Sequence, residues 1–446
     1  MTSREKGWLL ALGLVAALPA NDPGPFWWSS GRQGAPAQSP SAAVATLAIN
    51  LQSPEASDRA RAACELGLRG VDALSEVAAL TKLLGDDRRV DELDCDDGRG
   101  DFGQWSFGGE LRMCATSPAR EAARALARIG VRALEPLLTA LGDVSATMRR
   151  YAAIALGMLH DPVAVKPAMP RLVSTLDDGD WQVRRSAVWA LSEVGDSQVL
   201  AAIVARLKDD HTRVREMAAH GLGELEDRKA VNALVGALKD SEWTVRRAAA
   251  HSLGELESAD SVDALASVLD DEHPEVRKMA VWALAEIEDR RAAPALRGAL
   301  KDREPEVRQQ AAWALGELED SESVDALVTA LRSDERAGVR KMAAWALGEI
   351  ETPKAVPGLV AGLRDGDADV RDMSAWALGE IESPEAVEGL IAALKDSAWK
   401  VRAKAAWAIG EIADSRAAEA LASSLKDEHA EVRKMAAWAL AEVADR

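Results

Sequence analysis

The sequence predicts an all-α chain, a right-handed α-solenoid of about twelve helix pairs. Three observations predict it. The nine-residue stretch Val-Arg-Lys-Met-Ala-Ala-Trp-Ala-Leu occurs verbatim at Val339–Leu347 and Val432–Leu440. Close copies start at Val183, Val214, Val245, Val276, Val307, Val370 and Val401, 31 residues apart except between Val307 and Val339, where Ser333 is a one-residue insertion. A fixed period of this size marks a repeat array. Within each period, residues such as Val231, Leu234 and Leu238 fall at i, i+3 and i+7, the stripe of an amphipathic helix, ahead of the second helix that begins at the recurring Val.

Bulk composition bounds the function. A chain of 446 residues ordinarily suggests about three domains, but a solenoid grows unit by unit without one central core. Lys and Arg total 54 against 73 Asp and Glu, a net charge of −19. That balance argues against nucleic acid and anionic lipid as partners, since both need a basic footprint. A neutral or basic partner remains. Fourteen Trp stand against one Tyr and three Phe, so the tryptophans call for a positional explanation.

At the start, Arg4 and Lys6 precede the apolar run Trp8 to Ala17, and small residues follow up to Ala20. This reads as an export signal over residues 1–20, too short to span a membrane, which takes about 20 apolar residues. An amphipathic first helix is the alternative. Residues 21–40 form a Pro-, Gly- and Ser-rich linker, within which Phe26, Trp27 and Trp28 have no explanation. The solenoid is expected over 41–446. Degenerate copies start at Asp58, Pro118 and Met148, and an inserted loop at about 88–117 interrupts the second pair. Cys95 and Cys114 bracket that insertion and are the disulfide candidate, whereas Cys64 lies in a helical segment. Such a bond suits an oxidising compartment, periplasmic or extracellular. An odd total of three cysteines leaves free thiols as the other reading.

Two regularities are structural expectations. Asp precedes each of the nine clear Val positions by five residues, from Asp178 to Asp427, and Arg follows each, from Arg184 to Arg433. Acid in every turn and base on every following helix predict a ladder of charge-assisted bonds between neighbours. Gly223, Gly254, Gly316, Gly348, Gly379 and Gly410 sit inside helices, with Ser192, Ala285 and Ala441 at the same register elsewhere. Only small residues are accepted, which predicts a close approach there.

The recurrent Asp…Val-Arg…Ala-x-Ala-Leu-Gly-Glu-Ile pattern, as in Asp365 to Ile381, resembles HEAT repeats, specifically the short bacterial HEAT-like class also found in phycobilisome lyases. The resemblance extends over about nine-tenths of the chain. It implies second helices lining a concave face, in a family that is mostly scaffolds and binding modules with a few enzymes.

With the recurring Val as position zero, Val, Ala at +4, Leu at +8 and Ile at +11 define the buried stripe, and position +6 lies roughly 160° from its centre. The +6 row reads Trp189, His220, His251, Trp282, Trp313, Trp345, Trp376, Trp407 and Trp438. Met342 and Met373 border it at +3, and Glu317, Glu349, Glu380 and Glu411 at +10. One reading lays each ring over its neighbour's Met as packing. The other makes the row a ligand-facing stripe, because stripes of large apolar residues outside the core mark interaction sites. An extended peptide spans one repeat with about three residues, so a Pro-rich or basic segment could place a side chain on each Trp and its charges on the Glu row.

No catalytic constellation is expected. His220 and His251 suggest a metal pair, and deoxyhypusine hydroxylase, which has similar repeats, draws its iron ligands from His-Glu pairs. Here Gly221 and Ser252 follow the histidines, so that motif is missing. The acidic run Asp91 to Asp101 does not match calcium-loop spacing. The resulting expectation is a non-catalytic protein-binding scaffold without cofactor or metal. Its rivals are a self-assembling structural protein, stacking as a homo-oligomer through the C-terminal repeat, and a lyase-like or accessory enzyme subunit.

Overall fold

The computed structural model describes residues 40–91, 93, 116–159 and 162–445. The export signal, most of the linker, Cys95, Cys114 and most of the insertion lie outside these. Residues Val44–Arg446 form one compact unit, and Met1–Ala43 a separate one described only at its last residues.

Among the described residues the chain is helical, and twelve helix pairs follow one another from Pro40–Asn50 with Ala56–Arg69 to Ala418–Ser424 with Ala430–Asp445. The expected α-solenoid is the observed one. In a typical unit a 3-10 turn, Arg228–Ala230, leads into a short first helix, Val231–Ala237, and a longer second helix, Trp243–Glu255. Second helices start where a side chain can satisfy the first free amides. Asp180 accepts from the amides of Gln182 and Val183, and Asp367 from those of Asp369 and Val370. The predicted stripe is buried: Val214, Ala218 and Leu222 have no exposure, and Leu234 from the facing first helix packs among them.

The charge ladder has a specific wiring. Each second-helix Arg reaches across to the turn Asp of the following repeat, from Arg149–Asp178 through Arg402–Asp427. Arg277 Nε and Nη2 donate to Asp302 Oδ2 and Oδ1 at 2.6 and 2.8 Å, while Nη1 donates to the Asp271 carbonyl of its own turn at 2.8 Å. One guanidinium therefore fastens two consecutive turns. Burial would raise the Asp302 carboxyl, but hydrogen bonds from Arg277 and the Glu304 amide, with the Arg277 charge, hold it below the usual carboxylate range.

The insertion is pinned at its base. Val90 and Thr116 exchange backbone hydrogen bonds of 2.9 and 2.8 Å, and the Tyr151 hydroxyl donates to Asp87 at 2.7 Å. Cys64, buried in helix Ala56–Arg69, is disulfide-bonded. The expected Cys95–Cys114 pair lies outside the described residues. Cys64 stands at +6, off the buried stripe of its helix, where its thiol can meet a segment from another part of the chain.

Candidate functional site: the second-helix face

Second helices of successive repeats pack directly on one another, whereas first helices meet their neighbours much less. The +6, +9 and +10 positions thus form continuous rows across repeats. The close approach predicted at +9 has a named partner. A Cβ built on Gly157, Gly254, Gly316, Gly348, Gly379 or Gly410 would lie 2.3 to 2.8 Å from Cζ3 of Trp189, Trp282, Trp345, Trp376, Trp407 or Trp438 respectively. Each Trp rests its six-membered ring on the glycine of the preceding repeat, rather than simply over a methionine. Trp189, Trp282, Trp313, Trp376, Trp407 and Trp438 are half-buried and Trp345 is buried at 7% exposure. Met342 and Met373 are half-buried beside the core.

The row changes where histidine replaces tryptophan. Gly223 is met by Ser252, whose hydroxyl donates to the Ala219 carbonyl at 2.9 Å, and Gly221 by Ser192. The rings of His220 and His251 meet edge to face at 5.8 Å, and His251 stacks on Trp282 at 5.0 Å. Burial, with the charges of His251 and Arg247, pushes His220 down to about 4. No group of three or more His, Cys, Asp and Glu among the described residues is arranged to hold a metal ion.

Two carboxylate rows run beside the rings. Glu224 and Glu255 at +10 are exposed, while Glu317, Glu349, Glu380 and Glu411 are half-buried. Glu226, Glu257, Glu288, Glu319, Glu351 and Glu382 form a second row two residues on, all in the left-handed region with φ between 44° and 53°. Each costs roughly 1 kcal/mol there relative to glycine. The rows repel each other. Burial, and then Glu317, Glu380, Glu351 and Glu319, push Glu349 up to about 7. Burial, and then Glu255, Glu193 and Glu226, raise Glu224. A cleft of about 260 Å3 opens between the rows, lined by Glu224, Glu226, Glu255, Glu257, Glu286 and Trp282 over Gly223 and Gly254.

A second tryptophan set went unread in the sequence. Trp181, Trp243 and Trp399 begin second helices and stack on His211, His273 and His429 of the next repeat at 3.8 Å. Each of these histidines also accepts a helix-start amide at Nδ1. The signal was present as a Trp-to-His spacing of 30 residues, three times over.

Helix pairs stacked on shared second helices, with a polar ladder at the turns, define an α-solenoid of the kind that presents an extended surface. The HEAT-repeat model matches seven overlapping windows from 169–243 to 356–441, and a phycobilisome-lyase HEAT-like repeat model matches 118–143. The chain belongs to the HEAT-repeat family. No curated protein matches the sequence. Among solved structures, Kap95p in a structure with RanGDP is 16% identical with a TM-score of 0.56, covering 92% of this chain and 61% of its own. A Kap121p mutant is 14% identical with a TM-score of 0.58, covering 91% and 50%. The chain thus spans half to three-fifths of those proteins, and the likeness is one of fold. The CpcE–CpcF phycocyanin lyase complex from Nostoc reaches a TM-score of 0.32, with 24% identity over 50% of this chain and 92% of that one, and carries no argument.

Proposed function

We propose that the chain is a non-catalytic scaffold whose second-helix face holds an extended, basic polypeptide segment. The mutual repulsion of the two glutamate rows is the observation that carries this reading. Burial first, and then the neighbouring carboxylates, push Glu349 up to about 7, and the carboxylate share of that push is relieved by bringing in positive charge. Retaining six left-handed glutamates at a backbone cost adds to it, because strain kept in register usually serves a site. The rings offer cation faces at the same spacing. The chain already contains one such contact, with Lys404 Nζ 5.0 Å from the centre of the Trp407 ring.

The closer packing of the second helices supports a curve with this face inside, as the HEAT resemblance implies. Kap95p, of the same fold, binds RanGDP; protein binding by this chain is a reading consistent with that. Export rests on the residue 1–20 pattern, and the Cys64 disulfide is in keeping with an oxidising compartment.

The tryptophans are a poor place to test binding, because they also hold repeats together. The glutamates separate the roles. Glu317→Gln, Glu349→Gln and Glu380→Gln combined leave the packing intact. They should weaken binding of a labelled peptide repeating Lys-Gly-Ser by roughly threefold to a hundredfold, at about 0.2–1 kcal/mol for each ion pair. Unaltered fluorescence anisotropy titrations would remove the acidic rows from the site.

A further inference from the structure

The acidic edge does not run the length of the solenoid. At +10, where later repeats carry glutamate, the first three carry Leu68, Arg128 and Met158. At +12 the left-handed glutamates give way to Gly70 and Gly130, with φ of 54° and 83°. At +13 Val71 and Val131 stand where Asp196, Asp227 and Asp289 cap the next 3-10 turn through their side chains. Charge is lost and aliphatic surface gained on this edge over the first repeats, although the rows change at different units: +12 is still glycine at Gly195, two residues after Glu193. Leu68, Val71 and Val131 are 52, 63 and 54% exposed, among the few large apolar side chains so open to solvent.

Building on the proposed function, we infer that the bound segment has two parts: a basic stretch along the glutamate rows, and an aliphatic end that packs on Leu68, Val71 and Val131. Charge complementarity sets the order. Arg128 and the exposed Arg132 beside the valines disfavour continuation of a basic stretch, while the carboxylates from Glu193 onward disfavour an apolar one. The partner therefore changes character where the edge does. Direction along the solenoid follows, because only one end of the segment meets the aliphatic surface.

The experiment uses the full chain and peptides of about 18 residues repeating Lys-Gly-Ser, enough for about six repeats at three extended residues each. One version carries Leu-Val-Gly-Leu-Val at its C-terminus and another at its N-terminus. The expected result is a gain of about tenfold in affinity from the tail at one end only, with the other end near the plain peptide. Leu68→Asn combined with Val131→Asn, which add no charge, should abolish that gain and leave the plain peptide's affinity unchanged. No gain from either end, an equal gain from both, or a gain that survives in the double variant overturns the inference while the proposed function stands. Failure of the plain peptide to bind overturns both. A lowered melting temperature of the unliganded double variant would show that the chain's own residues already cover the patch, and would also overturn it.

Discussion

The seating of each tryptophan on a glycine makes Gly379→Ala a quantitative test of how repeats interlock. Alanine gains about 1 kcal/mol of helix propensity over glycine. Against that, its Cβ would sit 2.6 Å from Trp407 Cζ3 and 3.1 Å from the Ala408 Cα. Overpacking of this kind costs about 1–3 kcal/mol. The net expectation is a loss of up to about 2 kcal/mol at the interface. With Trp407→Ala in place the ring is gone and the propensity gain should reappear, giving a coupling of about 1–3 kcal/mol. A solenoid need not unfold in one step, so the assay is native-state hydrogen exchange in helices Ala368–Glu380 and Trp399–Ile412. Gly379→Ala stabilising both backgrounds equally would refute the seat.

Other expectations follow from the ladder, the carboxylate rows and the disulfide. Arg277→Met leaves Asp302 half-buried without its fork and should cost about 3–5 kcal/mol, whereas Arg277→Lys should recover part of that; equal urea midpoints for the two would deny the bidentate geometry a role. Glu349 keeps its proton to about pH 7, above its ordinary value of 4.5. The unfolded chain therefore ionises first, so stability falls as pH rises from 4.5 to about 7 and levels off above. Glu349→Gln should flatten that slope in urea titrations, and an unaltered slope contradicts the shift. Cation binding should also release a proton from Glu349 near neutrality, read by calorimetry in buffers of different ionisation enthalpy. A non-reducing peptide map should place Cys64 in a cross-linked pair, and a free Cys64 thiol would contradict the structure.

What was legible in the sequence was what repeats in register. Asp at −5 and Arg at +1 predicted the ladder, since two opposite charges at fixed offsets have few other uses. They did not say that each Arg serves the next turn, because an offset of 25 residues from Arg277 to Asp302 is visible only once the stacking is known. The +9 glycines announced a close approach. Their partner was hidden, because a helical-wheel angle describes one helix and says nothing of which neighbour's ring leans over it. The same wheel made the Trp row look freely exposed, although second helices packed on one another half-cover it. Trp181, Trp243 and Trp399 lay outside the wheel altogether. Their histidine partners belong to the next unit and double as helix caps. The left-handed glutamates went unseen because that conformation ordinarily selects glycine or asparagine.

The most direct test of the central claim is a hydrogen-exchange footprint of the full chain with the Lys-Gly-Ser peptide at low salt. Protection should gather on the last turns of the second helices, from Trp181–Val194 to Trp399–Ile412, and fade with added salt as exposed ion pairs are screened. Protection confined to the first helices, or none at a peptide concentration that saturates anisotropy, would contradict it.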